Sequence, residues 1–317
     1  MEATVIVDLP NTNSSQISKA LVKIREEGGA VALGRVLTLV ISTSLGEEEE
    51  SIEAANEASR EHPMRVIVVS AGEPGTDDQV SEDADSRVDA QIRVGGDAGA
   101  SEVLVVRAYG GAATDQESLV TGLLLPDAPV VAWWPADCPS SVSQSAIGRI
   151  AQRRITDAAA HSDPLGALRC VLKSYHPGDT DFAWTRLTLW RAQLAAVLDQ
   201  PPYSPVTAVD VSGASDSASV VLLAAWLRLR LQVDVKLDLT TASQGRTGIA
   251  SVALHRSTGT IRLERTQSNI AILTQPNQPI HDLSLPRRNL RDCLAEELRR
   301  LDPDDLFGDV LKNWGEQ

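Results

Sequence analysis

Aromatic residues are scarce in this 317-residue sequence: six Trp, three Tyr and two Phe make up 3% of the chain. Cysteine is scarcer still. Cys138, Cys170 and Cys293 are an odd number at wide separations with no C-x-x-C, which argues against a disulfide framework, a thiolate metal cluster and a redox pair. No stretch comes near the roughly 18 to 20 uncharged apolar residues that a membrane span needs. The start, MEATVIVDLPNTNSS, carries Glu2 where a secretory signal has basic residues and has no long apolar centre, so a cytoplasmic location is expected. Positive charge is also in deficit, with 29 Lys and Arg against 43 Asp and Glu and a formal net charge of -14. Such a field repels nucleic-acid backbones and anionic membranes, and neither is expected as a partner.

The usual signatures of catalysis are missing as well. There is no H-E-x-x-H and no G-x-S-x-G, and His62, His161, His176, His255 and His281 are dispersed without metal-ligand spacing. Neither G-x-G-x-x-G nor G-x-x-x-x-G-K-[ST] occurs. No catalytic residue, metal or cofactor is therefore expected.

What is present is the balance of a globular protein, 43% hydrophobic and 23% charged, at a length that suits two domains better than one. A first helix is capped by Ser14 or Ser15, carries Ile17, Leu21 and Ile24 at helical spacing, and ends at Gly28. The β-branched runs at 35–43 and 65–70 flank a helix at 47–60 whose leading acids, Glu47 to Glu50, complement its N-terminus; this is a β-α-β unit with parallel strands. Further strands are expected at 87–94, 101–107 and 129–134, with a helix near 116–124. The stretch 72–86, rich in acids, Gly and Pro, reads as a surface loop.

From 163 to 198 the pattern is helical, broken at HPGDTD and resumed in FAWTRLTLWRAQLAAVL. DQPPYSP (199–205) then places three prolines in seven residues and marks a domain boundary. The second half starts again as strand, turn and helix, followed by strands at 233–239, 248–255, 260–265 and 269–274 and helices near 288–301 and 303–313. The fold class expected is α/β, with two domains, 1–200 and 201–317, each a mixed β-sheet with packed helices and joined through a helical segment.

Three features compete as functional sites. DVSGASDSAS (210–219) runs a strand into a Gly/Ser loop and a helix, an arrangement in which Ser212, Gly213, Ser215 and Ser217 would cradle phosphate; the same residues also serve as a turn and helix cap. VGGDAGASEV (94–103) reads as a tight connection. The basic groups in AQRRITD (151–157) and LPRRNLRDCLAEELRRLD (285–302) admit phosphate recognition, although Glu296 and Glu297 beside Arg291, Arg299 and Arg300 suit a solvated helix face. The third feature is AWWP. If the strand continues, Trp133 and Trp134 point to opposite faces, and one of them is hard to bury beside Pro135. Tryptophan is enriched where protein partners bind most strongly, so this pair, which otherwise packs one indole into the core and one under a neighbouring helix, is a candidate contact surface together with Pro135. Asp181, Trp184, Arg186 and Trp190 in the following helical segment are candidates to extend it, although core packing is the favoured reading of Trp184 and Trp190.

These blocks carry a family resemblance. VDLPNTNSSQISKALVKIREEGGAVALGRVLTLV, HPMRVIVV, RVGGDAGASEV, SLVTGLLLPDAPVVAWWP, GRIAQRRITDA, GDTDFAWTRLTLWRAQLAAVLDQPP and CLAEELRRLDPDD, in that order, resemble the OpcA family of glucose-6-phosphate dehydrogenase assembly proteins in its actinobacterial form. The resemblance is strongest over 5–200 and thins over 201–280. It implies a non-catalytic partner of glucose-6-phosphate dehydrogenase that promotes the active oligomer, acting as an allosteric activator that supports the oxidative pentose phosphate pathway and NADPH supply. The alternative is an enzyme or sensor that binds a sugar phosphate or nucleotide through the 210–219 loop.

Overall fold

The computed structural model describes residues 5–28, 34–71, 86–95, 102–240 and 247–316. Residues 72–85 of the acidic stretch and 96–101 of VGGDAGASEV lie outside the described residues. In chain order the strands are β1 (Val5–Leu9), β2 (Leu37–Ser44), β3 (Met64–Ala71), β4 (Arg87–Val94), β5 (Glu102–Tyr109), β6 (Val130–Trp133), β7 (Arg153–Thr156), β8 (Asp179–Asp181), β9 (Val206–Ala214), β10 (Val235–Thr240), β11 (Ile249–Arg256), β12 (Ile261–Arg265), β13 (Ile270–Thr274) and β14 (His281–Ser284). The helices are α1 (Ser14–Gly28), α2 (Glu49–Ala58), α3 (Gln116–Thr121), α4 (Ala146–Ile150), α5 (Pro164–Ser174), α6 (Phe182–Thr185), α7 (Thr188–Leu198), α8 (Ala218–Leu231), α9 (Leu290–Arg299) and α10 (Asp305–Gly315).

The chain divides into two compact units, Met1–Thr156 with Leu290–Pro303, and Asp157–Asn289 with Asp304–Gln317. The α/β class with two mixed sheets is as expected. The division falls elsewhere than residue 200, because the apolar faces of α5 and α7 belong to the core of the second unit: Leu168, Trp190, Leu194 and Val197 share one cluster with Val220 and Leu223 of α8. The helical segment is part of that unit, and DQPPYSP is an internal turn.

Within the first unit the sheet runs β1-β4-β5-β3-β2-β6-β7. Strands β5, β3, β2, β6 and β7 run parallel to one another, while β4 and β1 add antiparallel at one end. The central strands read as continuous apolar runs because both faces are covered: Val66, Ile67 and Val68 of β3 are fully buried. Strand β6 lies between β2 and β7, so AWWP is an interior position and not a sheet edge. Trp133 is 0% exposed and Trp134 3% exposed, the latter in a cluster with Val130, Ala132, Val142 and Ile147. This corrects the expectation that one of the pair resists burial, since each face of an interior strand has a layer to receive an indole.

Two polar networks tie this unit together. Glu102, fully buried at the start of β5, meets Arg25 of α1, Arg35 just ahead of β2, and Arg65 of β3; the Arg35 and Arg65 contacts measure 2.7 and 3.0 Å. Arg153 of β7 pairs with the Glu297 carboxylate of α9 at 2.9 Å and donates to the Asp302 carbonyl at 2.8 Å. Arg153 and Glu297 are both buried, which corrects the reading of these residues as a solvated basic group and a mixed-charge helix face. An ion pair hidden in this way looks the same in sequence as an exposed one.

Glu48, just ahead of α2 and 3% exposed, accepts a hydrogen bond from the Ser70 hydroxyl at 2.7 Å and another from Arg107 at 3.1 Å. Burial pushes its pKa up, but the Ser70 hydroxyl, its own backbone N–H and Arg107 more than offset this and hold it below the ordinary carboxylate value. A folded-state pKa below the unfolded one contributes stability that is complete above the ordinary carboxylate range and is lost as the pH falls through the lowered value. Ser70→Ala is therefore expected to raise the acid-unfolding midpoint while changing neutral-pH stability by about 1 kcal/mol. Tryptophan fluorescence against pH checks this, and an unmoved midpoint would refute it.

Candidate functional site

The second unit is built on the sheet β10-β9-β11-β12-β13-β14, in which β10 and β9 are parallel and the remaining pairs antiparallel. Period-two alternation separates its faces. Val209, Val211, Val252, Leu254 and Leu263 point into the core with α8. Asp210, Lys236, Asp238, Arg262 and Glu264 line a groove of about 750 Å3 on the other side. That groove carries both signs of charge, and the Asp210 carboxylate meets His255 Nε2 at 2.8 Å.

A second, smaller cavity of about 340 Å3 sits at the start of α8 and is lined by Arg186, Arg265, Arg287, Arg288, Asp216 and Ser217, among others. Four arginines therefore line one space from three separate segments. Arg186 is held by a bidentate pair with Asp157, at 2.6 and 2.7 Å. Arg265 lies 5.4 Å from the ring centroid of buried Trp190 and donates to the carbonyls of Ser268 (2.8 Å) and Leu285. Its Nε is buried with no acceptor among the described residues. Burial, and then the neighbouring charge of Arg287, push the Arg265 pKa down to about 10. Arg287 is exposed and donates to the Thr247 carbonyl at 2.7 Å, and Arg288 donates to the Thr185 carbonyl at 3.0 Å.

Helix α8 supplies the remaining donors. Its N-cap residue, Ser217, makes no side-chain capping bond, and among the described residues no acceptor meets the N–H groups of Ala218 and Ser219. Ala218 and Ser219 line the cavity at the positive end of a 14-residue helix. The arrangement is that of an anion receptor. Asp216, exposed on the rim, opposes it.

Only part of the 210–219 loop takes part. Ser217 and Ser219 line the arginine cavity, whereas Ser212 belongs to β9, bonds to Ser251 Oγ at 2.8 Å and faces the mixed-charge groove. Ser215 donates its N–H to the Thr240 carbonyl at 2.9 Å. Gly213 is buried in β9, where an added Cβ would lie 2.6 Å from Val220 Cγ2 and 2.7 Å from the Gly248 carbonyl. It is needed for close approach of sheet and helix and not for a phosphate contact. Gly213→Ala is expected to cost about 1–3 kcal/mol through overpacking, measured by chemical denaturation; a variant as stable as the parent would contradict this packing.

The residues proposed for protein contact are mostly interior. Asp181, 0% exposed, accepts from the N–H groups of Ala183 (2.8 Å) and Ala158 (2.9 Å), capping α6 and pinning the preceding chain. Trp184 donates from Nε1 to Asp304 at 2.8 Å and is 1% exposed. Trp190 is 3% exposed and is among the residues that line the arginine cavity. Pro135 and Arg186 keep some accessible surface. The expected continuous helix is also interrupted, as α6 and α7 separated by Arg186 and Leu187. Sequence patterning missed Arg265, Asp157 and Asp304. Arg265 falls on the inward phase of β12 with Ile261 and Leu263, where a charged residue at a strand end reads as an ordinary break in the pattern, and nothing local marks its convergence with Arg287.

Fold and site together define a two-unit α/β protein with an anion-suited cavity and, among the described residues, no group of His, Cys, Asp and Glu able to hold a metal. No helix among them is long and apolar enough to cross a membrane. Residues 55–173 match the N-terminal domain of the glucose-6-phosphate dehydrogenase subunit, and residues 177–311 match its C-terminal domain. The chain belongs to the OpcA family of glucose-6-phosphate dehydrogenase assembly proteins. A comparison with curated protein sequences finds no match. Among solved structures, the chain is similar to KijD10, a 3-ketoreductase from Actinomadura kijaniata in complex with NADP, at 9% identity and a TM-score of 0.43 over 88% of this chain and 94% of that one. It is also similar to the UDP-N-acetylglucosamine 3-dehydrogenase GnnA from Acidithiobacillus ferrooxidans, at 8% identity and a TM-score of 0.40 over 88% and 96%. Likeness at this level carries no statement about activity.

Proposed function

We propose that this protein is a non-catalytic subunit that binds glucose-6-phosphate dehydrogenase in the cytoplasm and shifts it toward its active assembly, raising flux into the oxidative pentose phosphate pathway and NADPH supply. The observation that carries this reading is the pair of family matches, which together run from residue 55 to residue 311 with both domains in order. A partner activates an enzyme only by binding its active state better than its inactive one, and about 1–3 kcal/mol of such preference changes the equilibrium roughly 5- to 150-fold.

For the contact itself we look to the loop that leaves β6. Trp133 and Trp134 form its buried base, Pro135 keeps some accessible surface, and Pro139 and Ser140 are exposed. A loop anchored on a buried base has less freedom to lose on docking, which favours binding.

The test is to combine the purified chain with the dehydrogenase of the same organism and to measure co-elution and steady-state kinetics with and without it. Co-elution with increased activity is expected. Separate elution with unchanged kinetics at high concentration would overturn the proposal. Ser140→Arg is expected to weaken activation about tenfold or more, since a misplaced charge in an interface costs more than 1 kcal/mol. Full activation by that variant would remove the loop from the interface and leave the family-level role untouched.

A further inference from the structure

The arginine cavity is a ligand site of its own. In a chain with 14 more acidic than basic residues, the gathering of Arg186, Arg265, Arg287 and Arg288 around one 340 Å3 space runs against the overall charge. Asp157 compensates Arg186. For Arg265 and Arg287 the acceptors are backbone carbonyls, and like charges close together and partly withdrawn from water are costly unless an anion sits between them. Beside them are the Ala218 and Ser219 N–H groups at the start of α8 and the buried Nε of Arg265, all without acceptors among the described residues.

We propose that this cavity binds a phosphate monoester of a small polar molecule, with the phosphate between the α8 N-terminus and the guanidinium groups of Arg265, Arg287 and Arg288. A phosphate dianion accepts several hydrogen bonds at once and matches the forked donors of arginine, which a carboxylate of the same size does less completely. The space is near the lower end of the roughly 300–1,000 Å3 typical of ligand pockets, which suits a sugar-phosphate-sized molecule better than a dinucleotide. Trp190 is too deeply buried to offer a stacking face to a base. The site is independent of the dehydrogenase role, because it belongs to the isolated chain.

Isothermal titration of the full-length protein with inorganic phosphate, with glucose 6-phosphate and with NADP+ tests it, with no dehydrogenase present. Phosphate should bind, glucose 6-phosphate should bind more tightly, and NADP+ should bind no better than phosphate. Arg287→Ala, at an exposed position where folding is not at stake, should weaken glucose 6-phosphate binding about tenfold, the loss typical of one charge-assisted hydrogen bond. Asp216→Asn, which removes the opposing carboxylate, should strengthen it severalfold. The proposal is overturned if neither phosphate nor glucose 6-phosphate binds at millimolar concentration, if NADP+ binds tightest, or if Arg287→Ala binds as the parent does.

Discussion

Glu102→Gln is expected to destabilise the protein by about 3–5 kcal/mol, the loss found when one partner of a buried ion pair is removed and the other stays. Glu102 is 0% exposed and is the shared acceptor for Arg25, Arg35 and Arg65, whose side chains are 30, 14 and 8% exposed. Arg65 also donates to the Leu123 carbonyl at 2.6 Å, so it has no easy route to solvent. Burial already pulls the pKa of Arg35 and of Arg65 below the ordinary guanidinium value, against the opposing pull of Glu102. Without the carboxylate, three guanidinium groups would share a space with no anion, and their mutual repulsion would add to the desolvation cost. The melting temperature should fall by about 10 °C. Combining the change with Arg65→Met should recover more than 1 kcal/mol, because neighbours in one network are not additive. A loss under 1 kcal/mol in Glu102→Gln alone would show that water reaches the cluster and that the charges do not depend on one another.

The second large effect lies in the other unit. Trp184 is 1% exposed, has Arg191 stacked 3.7 Å from its ring centroid and Phe307 at 5.9 Å, and donates to Asp304 Oδ2. Asp304 Oδ1 in turn accepts from the Phe307 N–H at 3.1 Å and caps α10. One indole therefore joins a core cluster to a helix start. Trp184→Ala is expected to cost about 3–5 kcal/mol, as large-to-small changes of buried aromatics do. Trp184→Phe, which keeps most of the volume and loses the N–H donor, should cost about 1–2 kcal/mol. The pair of variants also separates structure from recognition. If Trp184→Phe is folded and activates the dehydrogenase fully, the ring acts through the core; if it is folded and fails to activate, the bond from Trp184 to Asp304 is needed for recognition as well as for folding.

Much of the architecture was legible locally. The β2-α2-β3 unit, strands β4, β5, β6 and β11 to β13, and helices α9 and α10 follow from β-branched runs, period-two and 3.6-residue patterns, and capping residues, all properties of a few consecutive side chains. Strand β7 was not legible, because RRIT reads as surface charge until Glu297 of α9 is seen to neutralise Arg153. The edge strand β1 is short and half exposed and finds its place only by pairing with β4. AWWP misled for a related reason. A proline after a strand resembles an edge, whereas the sheet order places β6 in the interior.

The site divides in the same way. Ser217 and the pair Arg287–Arg288 stood out as a helix cap and a basic run, each an ordinary feature alone. Their meeting with Arg186 and Arg265 could not be read, because the three segments that carry these arginines are separated by stretches of chain whose path depends on how β9, β12 and α8 pack. Amino-acid order settled the α/β class, the main helices and strands, the acidic balance and the membership of a dehydrogenase-assembly family, since these rest on composition, short-range periodicity and contiguous motifs. Folding in three dimensions settled which charges are buried and paired, which tryptophans are interior, and where guanidinium groups converge. Those depend on side chains brought together across long sequence separations, and local pattern holds no record of such meetings.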